Sequence, residues 1–273
     1  MTASNDRTTT ETPAEALARL YDLDLQDDPG DLDLWTALAA EADGPVLELM
    51  AGSGRIAVPL ADAGHSVTAV DLDPAMLTRA GRRAASAGAA TVARLELVLG
   101  DVAAADLGLE RRFRLAFIGL NSILLLPSRA AQRLAWQTLA AHLEPGGLAV
   151  VDTWLPDAHD LARYDGRLHL EYHRPDPETG RWVTKTAAAQ HDAATQTVAL
   201  TTIYEEGDPG EPAGRWVRRD VVRLVTVEEL RTMAEAAGLG VELIAGGYDL
   251  EPLGPHDDRA VVIARMPGSG EAR

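Results

Sequence analysis

Residues 45–77, PVLELMAGSGRIAVPLADAGHSVTAVDLDPAML, decide the fold. A short apolar run, Val46-Leu47-Glu48-Leu49, leads into a small-residue turn, Ala51-Gly52-Ser53-Gly54. An alanine-rich apolar segment follows, which Gly64 can end, and a second apolar run, Val67–Val70, stops at Asp71. The order is strand, glycine turn, helix, strand, acid, the opening unit of a doubly wound α/β sheet. Glycines let the backbone approach a ligand closely, and a helix start offers free N–H groups. An acid at the end of the second strand, here Asp71, can accept hydrogen bonds from both hydroxyls of a ribose.

Two patterns fit this unit. Gly52-Ser53-Gly54-Arg55-Ile56-Ala57 matches the G-x-G-x-x-A of dinucleotide binders, a short pattern that recurs by chance. The second is an acid before the turn, glycines within it and an acid closing the second strand. Glu48, Gly52, Gly54 and Asp71 fill those places, and on these residues the chain resembles the class I S-adenosylmethionine-dependent methyltransferases. Two later signatures extend the resemblance. Gly100-Asp101-Val102 follows a third strand, Leu95–Leu99, and Leu143-Glu144-Pro145-Gly146-Gly147 precedes a fifth, Leu148–Val151, ending at Asp152. The fourth strand, 114–120, ends at Asn121-Ser122, without the Pro-Pro-aromatic of nucleic-acid amino-methyltransferases.

The resemblance implies a Rossmann-like, seven-stranded core and S-adenosyl-L-methionine as cofactor. It implies that Leu72 and Met76 flank the adenine, that Asp101 accepts from the adenine amino group, and that the backbone at Val102 reads a ring nitrogen. Ala51, Gly52, Gly54 and the strand end at Leu120 border the cofactor. A Tyr-Asp pair before the core, here Tyr21-Asp22, reaches its methionine end, and Trp35 becomes a candidate pocket wall, with plain core packing as the alternative. The chain departs from the family at Met50, where the turn usually has its first glycine; this predicts an ordinary backbone conformation there. Pro59 predicts a kink, or a helix that starts later than Gly54.

The 273 residues allow a substantial core. The formal charge of -17 disfavours nucleic-acid and anionic-membrane partners. With no cysteine, disulfides and thiolate metal sites are ruled out, and no metal is expected. The N-terminal segment lacks an apolar h-region and no run is long enough to span a bilayer, so a soluble cytoplasmic protein is expected.

Residues 1–12 read as a disordered tail, 13–160 and 226–266 as the core, and 267–273 as a second tail. Between the core segments, 161–225 carry four strand-like runs separated by PDPETG, HDAAT and GDPGEPAG, an inserted antiparallel β cap. In LHLEYHR, strict alternation puts His169, Glu171 and His173 on one face, which can line a pocket or be solvated. Asn121, Trp154 and Tyr248 follow strand ends on the active side and, with Trp35 and His169, are the candidate substrate contacts. His142 reads as a surface residue. The expected function is methyl transfer to N or O of a small molecule in specialised metabolism. The alternatives are a cofactor-binding protein of the same fold that catalyses a rearrangement or cyclisation, and a nicotinamide-dependent oxidoreductase.

Overall fold

The computed structural model describes residues 11–104, 107–207 and 214–268. Most of both expected tails and the turn at 208–213 lie outside the described residues. Two helices lead the chain, α1 (Pro13–Asp24) and α2 (Leu32–Ala42). Thr12 and Glu15 form a capping box at the start of α1, with Pro13 at its first position.

The central sheet has seven strands: β1 (Val46–Leu49), β2 (Val67–Asp71), β3 (Leu95–Leu99), β4 (Phe113–Ile118), β5 (Leu143–Trp154), β10 (Gly240–Ala245) and β11 (Arg259–Arg265). Their spatial order is β10-β11-β5-β4-β1-β2-β3. The strands from β3 to β5 are parallel neighbours, and β11 runs antiparallel between β5 and β10. Strand order reverses between β1 and β4, which opens a crevice beyond their carboxyl ends. Alternate residues feed two cores. Leu47, Leu49, Ile118 and Val151 pack with α6 (Arg129–His142) and α8 (Val227–Ala236) on one face. Val46, Val67, Phe117 and Val150 pack with α2 and α3 (Ala57–Asp62) on the other. A parallel strand covered on both faces must be apolar throughout, and Val46–Leu49 is fully buried.

The second sheet is antiparallel, in the order β6 (Asp165–Pro175), β7 (Trp182–Asp192), β8 (Thr197–Glu206), β9 (Gly214–Arg223). Its inner face receives Leu20 and Leu23 of α1 against Val183 and Tyr204. The architecture is the expected α/β core with an antiparallel β insertion.

Several local expectations need correction. Met50 does not take an ordinary conformation; its φ is 60°, in the left-handed region. Helix α3, by contrast, starts later than Gly54 as Pro59 predicted, and Pro59 sits in its first turn, where no helix hydrogen bond is lost. Strand β5 is longer than expected and carries Pro145-Gly146 within it, so Asp152 lies inside the strand and is fully buried. His142 is buried too, with Nδ1 2.8 Å from the Thr138 carbonyl oxygen. The helices α5 (Ala89–Arg94) and α7 (Ala158–Arg163) and a 3-10 turn at Ser122–Leu125 were not anticipated. No described helix is long and apolar enough to cross a membrane.

Candidate active site

The turn after β1 is held by Asp71. One carboxylate oxygen accepts from the Gly52 N–H at 2.7 Å and the other from the Asp73 N–H at 2.9 Å. Burial pushes this acid up from its ordinary value, and the two N–H bonds oppose the rise. Gly52 has φ 55°, and a Cβ there would meet only the Tyr21 side chain, at 3.7 Å. Gly54 serves packing instead: a Cβ would lie 2.9 Å from that of Ala80, so helix α4 (Pro74–Ala87) closes against it. Gly54 lines no described cavity.

A cavity of about 610 Å³ opens beyond the strand ends. Gly52, Asp71, Leu72, Met76, Asp101 and Val102 form one side, and Ala14, Leu17, Ala18 and Tyr21 of α1 the other. A second cavity of about 380 Å³ lies under the β cap, between Leu120, Asn121, Trp154 and Tyr164 below and Val198, Leu200 and Val222 above. The two share Tyr21, Ser122 and Leu125. A narrow crevice at this junction is bounded by Tyr21, Glu48, Ala51, Arg55, Leu120 and Ser122.

Glu48 is 3% exposed, and its Oε2 has no hydrogen-bond partner. Burial pushes its carboxyl up to about 8, against the pull of nearby Arg55. Arg55 is engaged by Asp31 through two bonds of 2.6 Å. Burial alone would raise Asp31, but the Arg55 bonds and a 3.0 Å bond from the Trp35 indole hold it below its ordinary value. Trp35 itself is fully buried, stacked on Phe117 with centroids 4.3 Å apart. It lines none of the described cavities, so its place is core packing.

Beside the crevice, Leu120 and Asn121 take successive left-handed conformations, φ 50° and 63°. The Leu120 N–H donates to Asp152 Oδ1 at 2.5 Å, and the Trp154 N–H to Asn121 Oδ1 at 2.5 Å. Asp152 Oδ2 accepts from Arg259 at 2.6 Å and from the Tyr248 hydroxyl at 3.1 Å. Burial still pushes Asp152 up to about 6, against Arg259 and the Tyr248 bond. The network pins the floor of the second cavity. Tyr248 belongs to it and lines no described cavity.

A family model described as "Methyltransferase domain" matches residues 46–147. The cypemycin N-terminal methyltransferase of a Streptomyces species is 28% identical over 84% of this chain and 86% of its own. A dTDP-3-amino-3,6-dideoxy-alpha-D-glucopyranose N,N-dimethyltransferase of Streptomyces fradiae is 26% identical over 85% of this chain and 86% of its own. The structure of the CcbJ methyltransferase from Streptomyces caelestis superposes with a TM-score of 0.72 at 26% identity, covering 87% of this chain and 96% of that one. The core of this chain matches a methyltransferase domain, and in sequence and fold the chain is similar to class I S-adenosylmethionine-dependent methyltransferases.

The site fits that cofactor on its own evidence. Glu48 Oε2 is an orphaned acceptor at the junction, where the ammonium of a methionine moiety can satisfy it. Among the residues proposed from sequence, the structure gathers Tyr21, Glu48, Ala51, Gly52, Asp71, Leu72, Met76, Asp101, Val102 and Leu120 around the first cavity and the crevice. Asn121 and Trp154 line the second cavity. His169 does not join them; it is exposed on the outermost cap strand. A register shift between Leu170 and Tyr172 breaks the expected alternation. His169 pairs with Ala187 and His173 with Thr184, so the two histidines of this methyltransferase face opposite sides. Arg55, Asp152 and Arg259 were missed because a lone Arg or Asp carries no local signal; their roles exist only through distant partners. Tyr164 was missed with α7.

Proposed function

We propose that this methyltransferase transfers a methyl group to an amino nitrogen of a small molecule in specialised metabolism. The observation that carries the choice of nitrogen is the state of the ionisable groups at the junction. Among the described residues lining the second cavity the one carboxylate is Asp24, and its oxygens already accept from Tyr172, Lys185 and Tyr204 at 2.7–2.9 Å. Burial pushes the Tyr21 phenol up to about 12, so it keeps its proton near neutral pH. Glu48 is largely protonated there when unliganded. An alcohol needs a base to become a nucleophile, whereas an amine brings its own lone pair. The amino-sugar relative is named as an N,N-dimethyltransferase, which supports the same choice.

Bound S-adenosylmethionine would supply an electrophilic methyl to the amine lone pair and leave as S-adenosylhomocysteine, with the proton of the product ammonium passing to water. The chain's part is alignment, which can supply roughly 7–11 kcal/mol of barrier reduction. In this reading Asp71 holds the ribose hydroxyls, Leu72 and Met76 flank the adenine, Asp101 and the backbone at Val102 read its edge, and Glu48 holds the ammonium. Tyr21 and Leu120 border the methyl, and Asn121 and Trp154 orient the acceptor. Met50 presents no obstacle, because its backbone adopts the left-handed conformation that a glycine would supply.

The test is formation of S-adenosylhomocysteine with a panel of primary and secondary amines, phenols and alcohols. Turnover with amines is expected, together with loss in Asp71→Ala through weakened cofactor binding. Turnover confined to phenols or alcohols would overturn the assignment to nitrogen, and cofactor binding without any turnover would overturn methyl transfer.

A further inference from the structure

The second cavity also states what kind of amine it accepts, and this step rests on the reading of the site as an amine methyltransferase. Eight of its lining residues are aliphatic, among them Leu25, Leu120, Val198, Leu200 and Val222, and Trp154 adds an indole. Its hydrogen-bonding groups are Tyr21, Asp24, Asn121, Ser122 and Tyr164. No Lys, Arg or His is among the described residues that line it.

The cap's inner face, which roofs this cavity, does carry cations, and the pairing register identifies them. Lys185 pairs with Tyr204, and Tyr204 with Trp216, so every second residue from there shares one face of the sheet. That face includes Lys185, Arg174 and Arg218, and the same register puts His169 and His191 on it, neither of which lines the cavity. The lysine and the two arginines are each already matched to a carboxylate: Lys185 to Asp24 at 2.9 Å, Arg174 to Asp27 at 3.1 Å, and Arg218 to Asp220 at 2.7 Å. A diphosphate entering here would meet aliphatic side chains and one anion, within a protein of net charge -17. Taking a multiply charged anion out of water without a cationic partner is strongly unfavourable. An apolar body, in contrast, gains from leaving water in such a cavity.

We infer that the acceptor is an amine on an apolar body that carries no phosphate, and not a nucleoside-diphosphate-linked amino sugar. The hydrocarbon part lies under Leu200 and Val222, and the amino end points to the junction at Tyr21 and Ser122.

Calorimetric titration of the full chain, saturated with S-adenosylhomocysteine, tests this with two probe sets. The first is a series of primary n-alkylamines of increasing length; the second is dTDP. The inference expects affinity to rise about fourfold per added methylene until the cavity is filled, with no binding of dTDP. It expects Leu200→Asp to flatten the length dependence while S-adenosylhomocysteine binds as in wild type. Should Leu200→Asp fail to fold, Val222→Thr keeps the side-chain shape and should reduce the slope. Binding of dTDP that Leu200→Asp weakens would overturn the inference, as would a flat response to alkyl length in wild type. Neither result touches the amine methyltransferase reading, which fails separately if the protein binds S-adenosylhomocysteine yet methylates no amine.

Discussion

At the residue scale, Glu48 is the group whose chemistry depends most on what occupies the site. In the free protein its carboxyl titrates near 8, because burial disfavours the charge and Arg55 is committed to Asp31. In the proposed complex the ammonium of the cofactor favours the ionised form. Below pH 8 the free protein therefore holds a proton that binding must release, so affinity rises with pH. Between about pH 6 and 8, S-adenosylhomocysteine affinity should rise by up to about tenfold per unit. Calorimetry in buffers of different ionisation enthalpy should register the released proton, and Glu48→Gln should remove the dependence. A pH-independent affinity in wild type would place the ammonium elsewhere. In the unliganded protein the same shift has the opposite consequence for folding. A raised acid stabilises fully below its unfolded value, near 4.5, and that contribution is lost as pH rises through about 8.

Met50 is the other residue whose environment overrides its type. Its φ of 60° is a conformation that costs a non-glycine residue roughly 1–2 kcal/mol. Its side chain borders the first cavity and packs against the core. Met50→Gly and Met50→Ala both remove that packing and differ mainly in backbone freedom. The glycine variant should be the more stable of the two by about 1 kcal/mol in chemical denaturation. Equal stability would mean that the turn relaxes in solution.

At the element scale, α1 ties the cap to the core across both cavities. Asp22 accepts from Arg79 at 2.7 Å, pairs with Arg83 at 3.2 Å and is bonded by Ser53, which joins the helix to the core. Asp24, two residues on, is bonded by Tyr172, Lys185 and Tyr204 of the cap. Arg19, 4% exposed, reaches Glu206 at 2.9 Å and is bonded to Asp176 at the cap's first turn. The face between these contacts carries Leu17, Ala18 and Tyr21 over the first cavity. Asp24→Asn should cost about 2 kcal/mol of stability, since it leaves the chain's only lysine unpaired at a site that is four-fifths buried. It should also accelerate S-adenosylhomocysteine release in a stopped-flow displacement experiment, because the same helix lines the first cavity, the proposed cofactor site. A stability loss with unchanged release would make the network a brace without a gating role.

The elements themselves were largely legible in the sequence, because their signals are local. Thr226-Val227-Glu228-Glu229 announces the start of α8, and Asp73-Pro74 that of α4. The four cap strands are marked by the turns between them. What escaped is non-local. The bulge that turns Tyr172 inward depends on Lys185 and Asp24, which no pattern in LHLEYHR contains. The left-handed run at Leu120-Asn121 depends on Asp152. Trp35 shows the same limit: its spacing fits a helix face, but only the fold places Phe117 beneath it and Asp31 at its indole. The proposed cofactor half of the site is written in consecutive short motifs along the sheet. The proposed acceptor half is assembled from α1, the 3-10 turn and two cap strands, and no single stretch of sequence encodes it.

At the scale of the whole molecule, the charge of -17 sets how acceptors arrive. Most amines are ammonium ions in bulk water near neutral pH, so the protein's field draws them in. The cavity then favours the free base, because its walls are apolar and its one carboxylate is already bonded. Attraction acts on encounter and not on the bound complex, so it should appear in kcat/KM and leave kcat unchanged. The Debye length shortens from about 20 Å at low salt to about 8 Å at physiological ionic strength. Across that range kcat/KM for an alkylamine should fall severalfold. An arylamine of similar size, neutral at the same pH, should show no such fall. A parallel decline for both acceptors would assign the salt effect to the protein itself, with the ion pairs of α1 the first place to look.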